Sequence, residues 1–285
     1  MSITTIKEIK TELERHGFSF KKALGQNFLI DSTVCPRMAA ASADSQTGVI
    51  EIGPGAGVLT RELSLVAKRV VAIELDRRLE PILNQVLSGC DNTKVIFNDV
   101  LKVDLNQLIK EEFSDCKKIC VCANLPYYIT SPIIMMLLEN KYPIDNITVM
   151  IQKEAADRIC AEVGTRLAGA VTAAVAFYAD AHKLFSVPRS CFMPQPNVDS
   201  CVIKLDVKTE PTIKVVDEKA FFRVVKACFA QRRKTLVNTV SNTLGISKET
   251  IKSALLEMGL DENIRGETLN MEQLATFSQK ISIKQ

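Results

Sequence analysis

The sequence predicts an α/β fold in which a mostly parallel sheet is covered by helices on both faces, followed by a smaller region made only of helices. Short apolar runs of strand length recur along the first two thirds of the chain, and segments with helical spacing separate them. Near-continuous apolar strands that alternate with helices are typical of a parallel sheet buried on both faces. After Val207 the strand-like runs stop and only helical patterns follow. These observations predict two domains, residues 1–205 and residues 206–285.

The elements follow from the apolar pattern. The runs predicted to form parallel strands are 49–53, 70–75, 94–99, 119–125 and 147–152. Two further runs, 182–187 and 200–207, are joined by a proline-rich loop with no room for a helix, so we expect this pair to be antiparallel. The helical patterns of the C-terminal region cover 218–230, 232–242, 247–258 and 271–279.

Composition places the chain among globular proteins, because 47% of its 285 residues are apolar and 24% are charged. One uncharged run, 119–138, is long enough to span a bilayer. Asn124, Pro126 and Pro132 interrupt it, which favours a buried strand, a turn and a new helix over a membrane segment. The charged N-terminal stretch argues against a secretory signal, so we expect a cytoplasmic protein with no membrane partner.

The nine cysteines raise the alternatives of a zinc site and of disulfides. Cys116, Cys120 and Cys122 lie close together, but no second pair follows at zinc-ligand spacing, and His16 and His182 are remote in sequence. Small apolar thiols in a buried strand explain the cluster better. We therefore expect no metal, and reduced cysteines in the cytoplasm.

A glycine-rich loop, with Gly53, Gly55 and Gly57, connects the first predicted strand to a helix. Glycines let a backbone approach a ligand closely, and the helix that follows offers free N–H groups. The spacing differs from the dinucleotide fingerprint, because Val58 stands where that pattern needs its last glycine or alanine. No Gly-Lys-Ser/Thr follows, which excludes a P-loop. Gly53 and Gly55 are therefore candidate contacts to a ligand that has no diphosphate.

Acidic residues end the next two predicted strands, Glu74 on the second and Asp99 on the third. A carboxylate at the end of the second strand can accept hydrogen bonds from both hydroxyls of a ribose. Asp99 can accept a hydrogen from an adenine amine. Because ligands of open α/β sheets collect at the carboxyl edge, these two acids and Glu51, which precedes the glycine loop, together predict an adenosyl ligand. A plain helix-cap or loop role for each acid is the alternative.

The fourth predicted strand delivers the tetrapeptide Asn124, Leu125, Pro126 and Tyr127 to the same edge. An aromatic amine is a poor nucleophile, because its lone pair is conjugated with the ring. The Asn124 side-chain oxygen and the Leu125 carbonyl could accept the hydrogens of such an amine and free its lone pair. Pro126 stiffens the loop, and the ring face of Tyr127, rather than its hydroxyl, is expected to stack on an extruded base. An ordinary Asn-x-Pro turn is the alternative.

Eight stretches of the chain, in order, resemble the small-subunit ribosomal RNA adenine dimethyltransferases, the family whose loss gives kasugamycin resistance. The resemblance extends from Lys21 to about Leu269, and ordered motifs are more specific than any single one. The stretches are KKALGQNFLID, EIGPGAGVLTREL, AIELD, NDVLK, NLPYYITSP, FMPQPNVDS, FAQRRKTL and RGETL.

The resemblance implies a seven-stranded, Rossmann-like, S-adenosylmethionine-dependent methyltransferase sheet with a small all-helical C-terminal domain. It implies dimethylation of two adjacent adenosines in the 3′-terminal hairpin of small-subunit rRNA, late in the biogenesis of the subunit. The cofactor is then S-adenosylmethionine, and the partner is the rRNA of a pre-30S particle, bound by a monomer. The cofactor contacts that it implies are Gln26, Asn27, Leu29, Gly53, Glu74, Asp99 and Asn124.

Two further predictions concern contacts with RNA. Phe192 is a candidate second stacking face for the target base, with plain core packing as the alternative.

The net charge is +3, and the C-terminal part of the chain holds the excess of cations. Its cluster of Arg232, Arg233 and Lys234 is expected to contact phosphates rather than bases, with a solvated helix face as the alternative.

The chain departs from the family pattern at two places. The segment 166–180 lacks the usual Tyr-Gly-x-Leu-Ser and the following Gln, and Gly266 stands where alanine is usual. Three alternative functions stay open. They are a large-subunit rRNA adenine methylase of the macrolide-resistance type, a small-subunit assembly factor in which binding outweighs methylation, and a DNA adenine methylase.

Overall fold

The computed structural model describes residues 27–282, together with Glu8, Thr11 and Arg15. The chain divides into two compact units. The first contains the described residues up to Ala156 and the segment His182–Val207, and the second contains Asp157–Ala181 and the described residues from Lys208 on.

The predicted division after residue 205 therefore needs one correction, because residues 157–181 group with the second unit. Aromatic packing within that unit gives the reason. The ring of Phe177 lies 5.5 Å from that of Phe221, and the ring of Tyr178 stacks on Phe222 at 5.5 Å. The segment is apolar enough to read as part of the sheet domain, and only its packing partners reveal where it belongs.

The predicted α/β sheet is confirmed as a seven-stranded sheet in the order β4-β3-β2-β5-β6-β9-β7. Its strands are β2 (Thr47–Ile52), β3 (Arg69–Glu74), β4 (Thr93–Phe97), β5 (Lys118–Asn124), β6 (Asn146–Gln152), β7 (Ala179–Val187) and β9 (Ser200–Val207). The first five of these are joined by parallel pairings, and β9 runs antiparallel to β6.

The register of the parallel strands sets the position of the polar residues at their ends. Ile52 pairs with Ile73, Glu74 pairs with Phe97, and Asn124 pairs with Met150. Because these strands are parallel, the loops that follow them leave from the same edge of the sheet. The glycine loop and the predicted acidic and amide residues meet at this carboxyl edge.

Helices connect the strands of the first unit. They are α1 (Val34–Ser42), α2 (Val58–Val66), α3 (Glu80–Val86), α4 (Leu105–Glu112) and α5 (Thr130–Glu139), and α6 (Lys153–Ile159) follows β6. Met38 of α1 and Leu63 of α2 pack in one buried apolar cluster with Val49, Val70 and Cys120 of the sheet. Burial of each such side chain contributes about 1.5–3 kcal/mol.

A second, two-stranded sheet lies outside the sequence-based expectations. It pairs β1 (Phe28–Leu29) with β8 (Phe192–Met193) in antiparallel register, with Leu29 opposite Phe192. Two residues carry no measurable periodicity, so the apolar pattern could not predict these strands. The Ile30 N–H extends the pairing by donating to the Cys191 carbonyl at 2.7 Å.

The second unit is helical, as predicted for the C-terminal region. Its helices are α7 (Ala170–Tyr178), α8 (Glu218–Cys228), α9 (Leu236–Leu244), α10 (Lys248–Glu257) and α11 (Met271–Ser282). Side chains of Asp217, Thr235 and Ser247 accept hydrogen bonds from backbone N–H groups in the first turns of α8, α9 and α10. Such caps start a helix at a defined residue.

The cap at Thr235 corrects the predicted start of α9, which had included the cationic cluster. Arg232, Arg233 and Lys234 lie in the turn before the helix. Gly266 also has a local reason, because a Cβ atom there would lie 2.7 Å from the Cys228 carbonyl carbon. The backbone of this chain approaches too closely at that point for the alanine usual in the family.

Three structural observations concern membrane segments, disulfides and metal sites. None of the helices within the described residues has the length and apolar character needed to cross a membrane. All nine cysteines are described, and each is a free thiol. The described residues also contain no cluster of three or more histidine, cysteine or acidic side chains that could hold a metal ion.

Candidate functional site

A cavity at the carboxyl edge of the sheet brings together most of the site residues predicted from sequence. All of them belong to the first unit. The predicted residues that line the cavity are Asn27, Leu29, Gly53, Gly55, Glu74, Asp99, Asn124, Leu125, Pro126, Tyr127 and Phe192. Gln26 lies outside the described residues, and the cationic cluster belongs to the second unit. The individual roles of these residues stay predictions.

The glycine loop lets the chain turn sharply at the cavity. Gly53 and Gly55 have φ angles of +69° and +58°, which side-chain-bearing residues rarely adopt. The Gly55 N–H donates to Glu74 Oε2 at 3.1 Å, and a Cβ atom on Gly55 would lie only 3.1 Å from the Phe28 ring. The loop is therefore held between β3 and β1 with its backbone at the cavity wall.

Glu74 is buried at the end of β3, where two backbone N–H groups hold its carboxylate. Oε2 accepts from Gly55 at 3.1 Å, and Oε1 accepts from Asp76 at 2.8 Å. Burial raises the pKa of Glu74, and these two hydrogen bonds oppose that rise. Each oxygen keeps a further lone pair, so the carboxylate can still accept hydrogen bonds from a ribose diol.

Asp99 has the capping role that was the alternative to ligand binding, and it also lies at the cavity. Its Oδ1 accepts from the Leu101 N–H at 3.0 Å and caps a short 3₁₀ turn, Val100–Lys102. The residue also lines the cavity. Because one oxygen serves the cap, the same carboxylate can hold its position and present its other oxygen to a ligand.

Glu51, the last residue but one of β2, is the acid whose environment is most unusual. It is 1% exposed, lines the cavity, and its Oε2 has no hydrogen-bond partner among the described residues. The pKa of Glu51 is raised to about 8, mainly by burial; the Thr60 hydroxyl opposes this rise, and the charge of Glu74 adds to it. A buried acceptor without a partner, facing a cavity, fits a ligand that brings its own hydrogen-bond donor.

The lining as a whole fits S-adenosylmethionine. Its acidic members in the described part of the chain are Glu51, Glu74 and Asp99, with no lysine or arginine. A cationic sulfonium and an ammonium group suit such a wall, whereas a diphosphate would lack any counter-charge. Carboxylates at Glu74 and Asp99 supply acceptors for hydroxyl and amine hydrogens.

Hydrogen bonds from distant segments hold the tetrapeptide loop after β5. The Asn124 side-chain amide donates to the Asn27 carbonyl at 3.3 Å, and the Leu125 N–H donates to the Met150 carbonyl at 3.2 Å. The Thr130 hydroxyl donates to the Pro126 carbonyl at 3.3 Å. The side-chain oxygen of Asn124 and the carbonyl of Leu125 take no part in these bonds.

The two predicted stacking residues differ in their surroundings. Tyr127 is half-buried, and its hydroxyl lies 2.7 Å from the Ser200 hydroxyl. Phe192 is 3% exposed, lies in β8 and packs in the same apolar cluster as Met38. Its burial matches the core-packing alternative, although it also lines the cavity. A stacking role for Phe192 stays a prediction.

The cationic cluster of the second unit is not uniform. Arg232 donates through Nη2 to the Ala168 carbonyl at 2.9 Å and to the Leu167 carbonyl at 3.4 Å. Arg233 and Lys234 are exposed beside it. Arg232 therefore ties the turn before α9 to the divergent segment before α7, a role that sequence alone did not suggest.

Sequence reasoning did not select two residues that the structure places in or beside the cavity, Leu75 and Ser200. Leu75 is 55% exposed, lines the cavity and directly follows Glu74. The available signal was its position: an apolar residue directly after the acid that ends β3 could contact the adenine ring of a ligand held by that acid. Ser200 gave no comparable signal, because it lies within an apolar strand pattern and matters only through its burial and its distant partner.

Comparisons with known proteins agree with this geometry. The model of a family described as ribosomal RNA adenine dimethylase matches residues 17–281. The "Ribosomal RNA small subunit methyltransferase A" of Geobacillus thermodenitrificans is 51% identical over 280 residues, which cover 97% of this chain and 96% of that protein.

Two solved structures share the fold over most of the chain. A dimethyladenosine transferase from Plasmodium falciparum superposes with a TM-score of 0.73 at 25% identity, covering 90% of this chain and 98% of its own. The 23S rRNA methyltransferase ErmE superposes with a TM-score of 0.67 at 25% identity, covering 90% of this chain and 100% of its own.

We predict that Glu51 makes the stability of the protein depend on pH. Its folded-state pKa of about 8 exceeds the ordinary value of 4.5, so the folded state binds its proton more tightly. This contribution is fully present below pH 4.5 and is lost as the pH rises to 8. Relative to Glu51→Gln, which cannot ionise, the parent should lose up to about 4 kcal/mol of unfolding free energy across that window.

Urea unfolding of both proteins at pH 5 and pH 8, without added ligand, measures this difference. The glutamine variant keeps the size of the side chain, so its own pH profile serves as the control. Parallel profiles for the two proteins would show that Glu51 ionises in the folded state at an ordinary pH.

Proposed function

We propose that this chain, which belongs to the ribosomal RNA adenine dimethylase family, dimethylates the exocyclic 6-amino groups of two adjacent adenosines in the 3′-terminal hairpin of small-subunit rRNA. Membership of the family confirms the expected enzyme class, an S-adenosylmethionine-dependent ribosomal RNA methyltransferase. The pre-30S particle as partner, the monomeric state and the cytoplasmic location are part of the proposal. The roles of individual residues are part of it as well.

One observation carries the assignment of the chemistry. The loop that holds Asn124, Leu125 and Tyr127 opens onto the same cavity as Glu74 and Asp99. An adenosyl ligand placed against the acids would have its reactive end at this loop, next to two oxygen acceptors and an aromatic ring. A target amine and a methyl donor can be aligned there.

The bound cofactor supplies a methyl group on a cationic sulfur, which is already activated for transfer to an amine. The protein therefore has to align the amine more than to deprotonate it. The side-chain oxygen of Asn124 and the carbonyl of Leu125 accept the two amine hydrogens, which directs the nitrogen lone pair away from the base. The rigid proline between them and Tyr127 keeps this spacing.

The described lining residues hold no histidine, lysine or arginine that could act as a base. Burial raises the pKa of Tyr127 above its ordinary value of 10, so its hydroxyl stays neutral near pH 7. Tyr127 consequently acts through its ring, and the proton released from the methylated amine leaves to solvent.

The small-subunit assignment is supported by sequence similarity. The relative from Geobacillus thermodenitrificans, named for the small subunit, is 51% identical, whereas the 23S rRNA methyltransferase ErmE is 25% identical. The alternative of a large-subunit enzyme predicts methylation of a different RNA. The alternative of a DNA adenine methylase has no support from a family described as acting on ribosomal RNA.

Methylation of undermethylated small ribosomal subunits, with mass mapping of the digested rRNA, tests the proposed function. We expect two adjacent dimethylated adenosines near the 3′ end when the protein and S-adenosylmethionine are added. Large subunits serve as the matched substrate control. Modification of the large-subunit RNA alone would assign the protein to the other class.

We predict that Asn124→Ala lowers the methylation rate on the order of 100- to 1,000-fold, because it removes one of two preorganised acceptors for the target amine. The measurement is a single-turnover rate at saturating S-adenosylmethionine and small subunits. Loss of the bond to Asn27 also affects the cavity wall, so cofactor affinity is measured in parallel by calorimetry.

A rate near that of the parent would contradict the alignment mechanism and leave the tetrapeptide as a turn. The variant also tests the assembly alternative. If Asn124→Ala is inactive yet restores small-subunit assembly in cells that lack the enzyme, binding outweighs methylation in the biological role.

We predict that the cationic turn contributes unequally to RNA binding. Arg233→Gln with Lys234→Gln should lower the log–log dependence of binding on salt by up to about 0.9 for each phosphate that the variant no longer neutralises. Arg232→Gln should act mainly on thermal stability, because its guanidinium binds the carbonyls of Leu167 and Ala168. Lys248→Gln, an exposed cation at the start of α10, is the matched control. An unchanged salt slope in the double variant would place the turn outside the RNA interface.

A further inference from the structure

The hydroxyl of Tyr127 makes a hydrogen bond that the proposed chemistry has not yet used. It lies 2.7 Å from the hydroxyl of Ser200, a residue 73 positions away in the chain. Ser200 is 0% exposed, whereas the Tyr127 ring reaches from this buried partner to the cavity. The hydroxyl end of the Tyr127 side chain is thus tethered to Ser200.

Ser200 sits on one of the most firmly held parts of the first unit. It begins β9 and stands opposite Gln152 of β6 in the antiparallel register. The preceding residue, Asp199, accepts from the Lys153 N–H through its carbonyl at 3.0 Å and from the Arg189 N–H through Oδ1 at 2.9 Å. The Ser200 hydroxyl is therefore a fixed point.

The backbone of Tyr127 is also fixed, since the turn around it is closed by bonds to the Pro126 carbonyl. The Ile129 N–H donates to that carbonyl at 3.1 Å, and the Thr130 hydroxyl donates to it at 3.3 Å. Because its Cβ and its oxygen are both held, the long axis of the Tyr127 ring has a fixed direction, and the ring can turn only about that axis. Without the Ser200 bond, rotation about the Cα–Cβ bond would let the ring swing within the cavity.

From these contacts we propose that Ser200 is a positioning residue, which holds the Tyr127 ring at the place in the cavity where the target adenine stacks. The inference rests on the proposed function, because it presumes that a base enters beside Tyr127. Ser200 itself touches neither base nor cofactor in this scheme. It acts through one hydrogen bond, in which either hydroxyl can donate.

This inference changes one expectation drawn from the sequence. If only the ring face mattered, Tyr127→Phe would be a mild change. Because the hydroxyl carries the tether, Tyr127→Phe should instead resemble Ser200→Ala, since each removes one end of the same bond. A small displacement of a group that aligns a substrate is costly for the rate.

A double-mutant cycle tests the proposal. The parent, Tyr127→Phe, Ser200→Ala and the double variant are compared by kcat/KM for undermethylated small subunits at saturating S-adenosylmethionine. Each rate is normalised to the number of S-adenosylmethionine sites measured by calorimetry, so misfolded protein does not enter the comparison. We expect each single variant to lose about fivefold to tenfold, and the double variant to lose no more than either single variant. The affinity for S-adenosylmethionine should stay within about twofold of the parent.

Tyr178→Phe is the matched control. It removes another tyrosine hydroxyl, which bonds to Glu218 Oε2 at 3.2 Å in the second unit. A purely structural effect of losing such a bond would lower the melting temperature in this variant as well. We expect its kcat/KM to remain that of the parent. Ser200→Cys, which keeps the size of the side chain with a weaker donor, should fall between the parent and Ser200→Ala.

Three results would overturn the proposal. They are single variants with rates within about twofold of the parent, losses that multiply in the double variant, and rate losses explained by weaker cofactor binding. If Ser200→Ala does not bind S-adenosylmethionine, the test rests on Tyr127→Phe alone. A kcat/KM near that of the parent for this variant would then reject the proposal. A parent protein that does not methylate small subunits would instead refute the proposed function, which separates the two outcomes.

Discussion

Parallel pairing of β2, β3, β4 and β5 is the constraint on which the rest of the site depends. It sets Glu74 opposite Phe97 and brings the C-terminal ends of these four strands to one edge of the sheet. The glycine loop, Glu74, Asp99 and Asn124 are far apart in sequence but line one cavity for this reason. A slip of one residue in any of these pairings would turn the terminal polar side chain to the other face of the sheet.

Burial then determines what these polar groups can do. Glu51 and Glu74 lie at the cavity wall with raised pKa values, because the apolar sheet around them disfavours the charged form. A wall with acids and without lysine or arginine among its described residues offers no counter-charge to phosphate and suits a cationic ligand. The same burial keeps the Tyr127 hydroxyl neutral, which leaves alignment rather than proton abstraction as the task of the loop.

Hydrogen bonds from remote segments fix the side chains that face the cavity. Asn124 is held by Asn27, and Tyr127 is held by Ser200, so segments that precede and follow the loop in the chain both determine its shape. Preorganisation of this kind is typical of sites that must hold a substrate closely. The second unit shows a related use of a polar group, because the guanidinium of Arg232 binds backbone carbonyls within its own unit.

The sequence by itself determined the positions of the main strands along the chain, the helical C-terminal region and the class of ligand that the cavity takes. Those signals are local: apolar periodicity, a glycine spacing, and polar residues where strands end. Only the tertiary structure decided the two-residue strands at Phe28–Leu29 and Phe192–Met193, the hydrogen bond of Tyr127 to Ser200 and the bond of Arg232 to the Ala168 carbonyl. Each of these depends on a partner distant in sequence, and a local pattern does not specify which distant groups will meet. The raised pKa of Glu51 has the same origin, since it reflects how completely the neighbouring strands and helices exclude water.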